Sequence, residues 1–192
     1  MQRSRRQAMA ALGLMTTTIM MTGTAMSETD STEMAQAPDL ENTLYMDLTY
    51  GRVVIRLRPD LAPRHVERVK ALTRAGFYNG IVFHRVIAGF MAQSGDPTGT
   101  GTGGSGQGNL RAEFSREPFR RGTIGAARTS NPDSADSQFF ICFTDVSHLN
   151  GQYTVWGQVT QGMELVDRIQ RGEPPRNPDR IVRMQVAADA RN

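Results

Sequence analysis

Alternation of hydrophobic and polar positions begins near residue 44 and predicts β-structure through most of the chain. Leu44, Met46 and Leu48 alternate with polar residues, a turn at Tyr50-Gly51 follows, and the alternation resumes through residues 53–57. Further strands are predicted at residues 81–87, 90–94, 122–127, 138–143, 153–159 and 181–186. Seven or eight short strands with closely spaced turns favour an antiparallel barrel or sandwich over a doubly wound parallel sheet.

Two segments have a helical period instead. The first is predicted from Pro63, a favourable first-turn residue, to Arg74, and Gly76 ends it. Its apolar face carries Val66, Val69 and Leu72. A second, shorter helix is predicted over residues 163–171. No internal repeat is visible, so all of these elements fit one domain.

The first 27 residues have the arrangement of a signal peptide. They contain Arg3, Arg5 and Arg6 but no acidic residue, and an apolar stretch at residues 8–21 leads into small residues. We therefore expect cleavage of residues 1–27 and export to the periplasm or the medium. Arg5-Arg6 partly resembles a twin-arginine signal, and the export route stays open. Residues 28–42 are expected to form a flexible tether, and residues 43–192 the folded domain.

The charge balance argues against polyanionic partners. The chain has 22 basic and 19 acidic residues, and all three excess positive charges lie in the predicted leader. A nucleic-acid or anionic-membrane binder would carry a basic surplus, so we expect neither partner after cleavage. The single cysteine excludes a disulfide framework, and the three histidines lack metal-ligand spacing, so no metal is expected.

The sequence does not support the common catalytic motifs, because the surrounding structure that each motif requires is not predicted. Residues 99–104 match the G-x-G-x-x-G fingerprint, but further glycines follow where a nucleotide-binding fold requires a helix. No serine-hydrolase elbow is present. Cys142 lies inside an apolar strand, where a buried, unreactive thiol is expected.

One polar residue interrupts each face of the predicted strand at residues 81–87. Alternation places Arg85 with Phe83 and Ile87, and His84 with Val82 and Val86. A guanidinium among apolar neighbours needs hydrogen-bond partners. Arg85 is therefore either a structural residue paired with a carboxylate or carbonyl, or a cation presented to an apolar pocket. The alternation alone leaves both readings open.

A longer motif includes this arginine. The run Phe-His-Arg-Val-Ile-Ala-Gly-Phe-Met-Ala-Gln-Ser-Gly-Asp at residues 83–96 resembles the signature of the cyclophilin family of peptidyl-prolyl cis–trans isomerases. Three further blocks resemble that family in order: Gly-Thr-Gly-Gly at 101–104, Ser-Gln-Phe-Phe-Ile at 137–141, and His-Leu-Asn-Gly-Gln-Tyr-Thr-Val-Trp-Gly at 148–157. The resemblance covers residues 43–187 and implies an eight-stranded antiparallel β-barrel capped by two α-helices, acting without a cofactor.

The resemblance also implies roles for individual residues. Arg85 would be the catalytic cation, and Gln93 would hold it and touch the substrate, while His84 would be structural. The other positions carried over as substrate contacts are Phe90, Met91, Ala127, Arg128, Thr129, Phe140, His148, Leu149 and Tyr153. Cyclosporin-sensitive members have Trp at the position of His148, and many members have His at that of Tyr153, so drug binding is expected to be weak.

The implied partners are proline-containing segments of unfolded or folding proteins, bound by a monomer. Two other classes share some of these features. A binding or chaperone module could grip the same segments without accelerating their isomerisation, and a purely structural domain would need no such pocket. A rate measurement separates the enzyme from the binding module.

Overall fold

The computed structural model describes residues 39–190, which contain eight strands and two α-helices and confirm the mainly β fold class. The bounds lie within a few residues of most predictions. The strands are β1 (Thr43–Leu48), β2 (Gly51–Leu57), β3 (Arg85–Ile87), β4 (Met91–Ser94), β5 (Thr123–Ala126), β6 (Phe139–Cys142), β7 (Val155–Gln161) and β8 (Arg183–Val186). The helices are α1 (Pro63–Arg74) and α2 (Met163–Val166), and three short 3₁₀ turns lie at Leu40–Asn42, Ser147–Leu149 and Ala187–Asp189.

All eight strands form one antiparallel sheet. Its order is β3-β4-β6-β5-β7-β2-β1-β8, so β3 and β8 are its two edges. The segments that precede these two edges meet at an isolated bridge between Val82 and Arg180 and share a few backbone hydrogen bonds, among them one from Gly80 to Ile181. The sheet is a curled half-barrel, which is less than the full eight-stranded barrel that the resemblance implied.

Helix α1 has the predicted bounds because its signals are local. Pro63 occupies the first turn, Val66, Val69 and Leu72 are buried, and Gly76 follows with φ of +72°. Helix α2 is shorter than predicted. Its continuation through Ile169 forms i→i−3 hydrogen bonds in place of the α-helical i→i−4 pattern.

The strand predicted at residues 81–87 is regular only from Arg85 to Ile87. Phe83 donates its backbone N–H to the carbonyl of Asp179, in the segment before β8. Its ring packs in the main core with Val86, whereas Ile87 packs in a second apolar cluster. The expectation that Phe83 and Arg85 share a face is therefore wrong, because the period of two breaks before β3.

The predicted signal peptide and most of the predicted tether lie outside the described residues. The described part of the tether, residues 39–42, contains a 3₁₀ turn. The Asp39 carboxylate accepts from the backbone N–H of Asn42 at 3.1 Å. The Glu41 carboxylate pairs with Arg74 at 2.9 Å and also with Lys70, so this turn docks against α1. Among residues 39–190, no helix has the length and apolarity required to cross a bilayer.

Candidate active site

Nine of the eleven predicted site residues line one small cavity. Its volume is about 90 Å³, below the ~300–1,000 Å³ of sites that enclose drug-sized ligands. The cavity therefore has room for a group of a few heavy atoms. Its lining residues come from β3, β4 and β6 and from the segments flanking β4, β5 and β7: Arg85, Phe90, Met91, Gln93, Ala127, Arg128, Phe140, Leu149 and Tyr153.

Aromatic rings form one wall of this cavity. Phe140, on β6, is buried, and the ring of Phe119 stacks on it at 5.6 Å between centroids. Tyr153 meets Phe140 edge-on at 5.7 Å. A Cβ atom added at Gly125, on β5, would lie 2.5 Å from Cζ of Phe140. The close stacking therefore requires glycine at this position.

Arg85 meets a partner that the sequence did not identify. Its Nε donates to Oε2 of Glu173 at 2.8 Å, and the two side chains are 43% and 51% exposed. Glu173 lies 88 residues later in the chain, in a proline-rich segment. No periodic pattern marks that segment, and Glu173 lies outside the four motifs that resemble the family. Arg85 is thus paired with a carboxylate and also lines the cavity.

The expectation that Gln93 holds Arg85 is wrong. The two residues face each other across β3 and β4, but Nε2 of Gln93 donates to Oε1 of Gln138 at 2.9 Å. Gln138 is itself oriented by donating to the carbonyls of Gly101 and Gly103. Its carboxamide oxygen therefore faces Gln93 and takes the hydrogen bond.

A second cation lies at the cavity, on the side of Tyr153. The guanidinium of Arg128 lies 4.2 Å from the centroid of the Tyr153 ring. It donates to the carbonyl oxygens of Thr129 and Gln152 at 2.9 and 2.8 Å. Within residues 39–190, Arg128 forms no ion pair with a carboxylate. The cavity thus has a cation at each of two positions on its lining.

Two predicted residues lie next to the cavity instead of lining it. Thr129 borders an adjoining open groove of about 720 Å³, formed largely by the glycine-rich loop at residues 101–108. Gln93, Ala127 and Arg128 border both the groove and the cavity. His148 is exposed, and its ring lies 5.8 Å from that of Phe90.

A polar contact links the first turn of α1 to Thr154, the neighbour of Tyr153. The Glu113 carboxylate accepts from the backbone N–H of Arg64 and of His65, in the first turn of α1, and contacts Nδ1 of His65 at 2.6 Å. The backbone N–H of Glu113 donates to the hydroxyl of Thr154, next to Tyr153. Burial lowers the pKa of His65 although the carboxylate opposes this effect, and hydrogen bonds lower the pKa of Glu113 against the effect of burial.

Other candidate reactive groups lie away from the cavity surface. Burial raises the pKa of the Cys142 thiol to about 12, which keeps it protonated and unreactive, as expected from its apolar strand. His84 is buried, and its ring nitrogens have no hydrogen-bond partner among residues 39–190. Burial lowers its pKa. No group of three His, Cys, Asp or Glu side chains that could hold a metal ion occurs in this part of the chain.

Comparison with known proteins indicates the family of this chain. The family model described as cyclophilin-type peptidyl-prolyl cis-trans isomerase matches residues 43–186. A probable peptidyl-prolyl cis-trans isomerase of Brucella suis is 50% identical over 175 residues, covering 83% of this chain and 89% of the relative. A peptidyl-prolyl cis-trans isomerase of Helicobacter pylori is 41% identical over 141 residues, covering 70% and 85%.

Solved structures agree with the sequence matches. A cyclophilin from Hirschia baltica superposes with a TM-score of 0.74 at 27% identity, covering 80% of this chain and 76% of that one. A Cryptosporidium parvum cyclophilin-type isomerase, crystallised in the presence of the dipeptide Ala-Pro, gives a TM-score of 0.70 at 28% identity, covering 75% and 98%. The chain therefore belongs to the cyclophilin family of peptidyl-prolyl cis–trans isomerases and is an enzyme that interconverts the cis and trans forms of Xaa–Pro peptide bonds.

Proposed function

We propose that this enzyme catalyses prolyl isomerisation in exported proteins during their folding, with Arg85 as the catalytic cation. The observation that carries the proposal is the small cavity with an aromatic wall and the guanidinium of Arg85 in its lining. A proline ring of the substrate would occupy this cavity, against Met91, Phe140 and Leu149. The adjoining groove, which includes Thr129, would receive the residues that flank the proline.

The barrier to this reaction explains why such a site is sufficient. Amide resonance gives the C–N bond double-bond character and a rotational barrier of ~18–20 kcal/mol. In the twisted transition state that resonance is lost, and the lone pair localises on the proline nitrogen. A donor directed at that nitrogen stabilises the twisted form more than the planar one, which is the requirement for catalysis.

Arg85 is suited to be this donor. A guanidinium is charged at all physiological pH values and carries several N–H groups in one plane, so it can stabilise the lone pair without transferring a proton. The apolar wall of Phe140 and Met91 would hold the ring while the acyl side rotates. It would also exclude water, which strengthens the interaction of the cation with the nitrogen.

A protease-coupled assay on a short Xaa–Pro peptide tests the proposed chemistry. We expect the wild-type protein to accelerate isomerisation and Arg85→Ala to lower kcat/KM by about 10²-fold, equivalent to ~2.7 kcal/mol of transition-state stabilisation. A matched control is Asp47→Asn, which removes an ion pair of Arg52 outside the cavity lining. Peptide binding without any acceleration would instead indicate the binding module.

The proposed location depends on the predicted leader at residues 1–27. Its three arginines, its lack of acidic residues and its apolar stretch favour export. Sequencing the N-terminus of the protein from fractionated producing cells tests this, with a mature N-terminus expected between residues 26 and 28. An intact Met1 on a cytoplasmic pool would refute export. Replacing Arg5-Arg6 by Lys-Lys tests the twin-arginine route separately.

A further inference from the structure

We infer that Glu173 is a positioning residue for catalysis and acts by fixing the guanidinium of Arg85. The contact is a hydrogen bond from Nε of Arg85 to Oε2 of Glu173 at 2.8 Å. Gln93, which faces Arg85 across the sheet, is bonded to Gln138 and does not fill this role. Among the described residues, Glu173 is the hydrogen-bond partner of the Arg85 side chain.

The backbone before Glu173 is attached directly to the strand that carries Arg85. Gly172 and Val86 exchange two backbone hydrogen bonds, each of 2.8 Å. Gly172 has φ of +148°, and a Cβ atom added there would lie 2.5 Å from Cα of Pro175. The turn from residue 172 to Pro175 can therefore be this tight only with glycine at position 172.

The rest of this segment is held by further contacts. The backbone N–H of Gln170 donates to the carboxylate of Asp179 at 2.8 Å, and the side chain of Gln170 accepts from the backbone of Asn177 at 3.0 Å. The guanidinium of Arg171 lies 4.0 Å from the centroid of the Phe143 ring. The carboxylate of Glu173 is thus presented from an anchored backbone, which is what positioning requires.

The geometry of the bond favours positioning over neutralisation of the cation. Glu173 accepts a hydrogen bond from Nε of Arg85, whereas Nη1 and Nη2 of Arg85 make no hydrogen bond within residues 39–190. These terminal groups are therefore available to the substrate. Both side chains are about half exposed, so solvent screens their attraction and the pair adds little to folding stability. The effect of losing Glu173 should appear in catalysis and not in unfolding.

Three variants test this inference: Glu173→Ala, Glu173→Gln and the control Asp47→Asn. In the control, Asp47 accepts from Nε of Arg52 at 2.7 Å, as Glu173 does from Arg85, and also from Nη2 of Arg52 at 3.1 Å; this pair lies outside the cavity lining. Two-dimensional exchange NMR on an Xaa–Pro peptide yields both the affinity and the rate of interconversion on the enzyme. We expect Glu173→Ala to lower that rate about tenfold with less than a twofold change in affinity.

Glu173→Gln should retain most of the rate, because its amide oxygen can still accept from Nε. It should also keep the Nε–H resonance of Arg85 close to its wild-type position, whereas Glu173→Ala shifts it. Asp47→Asn should match the wild-type rate. If Glu173→Ala does not fold, the interconversion rates of Glu173→Gln and Glu173→Leu are compared instead. Wild-type rates in every Glu173 variant, or a faster rate without the carboxylate, would overturn the inference.

The inference rests on the proposed role of Arg85, and a double variant separates the two. If Glu173 acts through Arg85, adding Glu173→Ala to Arg85→Ala should cause no further loss. A further tenfold loss in that background would show that Glu173 acts elsewhere. Full activity of Arg85→Ala alone would instead refute the proposed catalytic role, whatever the Glu173 variants show.

Discussion

Gly125→Ala should deform the aromatic wall of the cavity. The added methyl group would lie 2.5 Å from Cζ of Phe140 and 2.7 Å from Cε1 of Phe119. Carbon atoms in optimal contact are ~3.5–4.0 Å apart, so the rings must move by about 1 Å. Because both rings are buried and stacked on each other, neither can move without disturbing its neighbours.

This displacement should lower both the stability of the fold and kcat/KM. Overpacking of this kind costs ~1–3 kcal/mol, and about 2 kcal/mol lowers Tm by roughly 4–8 °C in a domain of this size. Phe140 also lines the cavity. A shift of about 1 Å in a group that holds the substrate can cost on the order of 10²-fold, so we expect kcat/KM to fall between about 10- and 100-fold.

Gly157→Ala is the matched control for this experiment. Gly157 lies on β7, paired with Ile124 beside Gly125, and the nearest atom to its added Cβ would be Cγ2 of Ile55, at 3.3 Å. We expect a smaller loss of stability and almost unchanged turnover. The measurements are thermal unfolding and the coupled isomerisation assay on both variants. Wild-type kcat/KM in Gly125→Ala would refute the reasoning, as would equal losses in the two variants.

Three further predictions concern the cation, the drug contact and acid stability. Arg85→Lys should restore little of the activity lost in Arg85→Ala, because lysine lacks the planar fork of donors; the coupled assay measures this. His148→Trp should strengthen cyclosporin inhibition about ten- to thirtyfold through added apolar contact, with little change in turnover, as read from inhibition curves. Thermal unfolding should show stability falling between pH 7 and 5. Burial depresses the pKa values of His65 and His84 below ~6.5, so the unfolded chain takes up protons first; replacing both by Gln should flatten the profile.

Local signals account for the parts of the fold that the sequence predicted well. The bounds of α1 follow from a proline in its first turn, a face with a period near 3.6, and a glycine that ends it. Hydrophobic alternation located the strands because successive side chains of a strand point to opposite faces of the sheet. The ordered motifs indicated the family, and nine of the residues they named meet at one cavity. Their catalytic and binding roles stay predictions.

Contacts between distant segments decided the rest. Whether the sheet closes depends on how β3 and β8 meet, and no pattern within either strand contains that information. Arg85 and Glu173 are 88 residues apart, and Phe119 reaches Phe140 from a segment without periodicity. Hydrophobic periodicity is a property of neighbouring residues, so it determined the elements, while the main residues of the cavity were implied by the resemblance to the family. The partner of a guanidinium depends on which carboxylate the folded loops bring within 3 Å, and only the tertiary structure decided that.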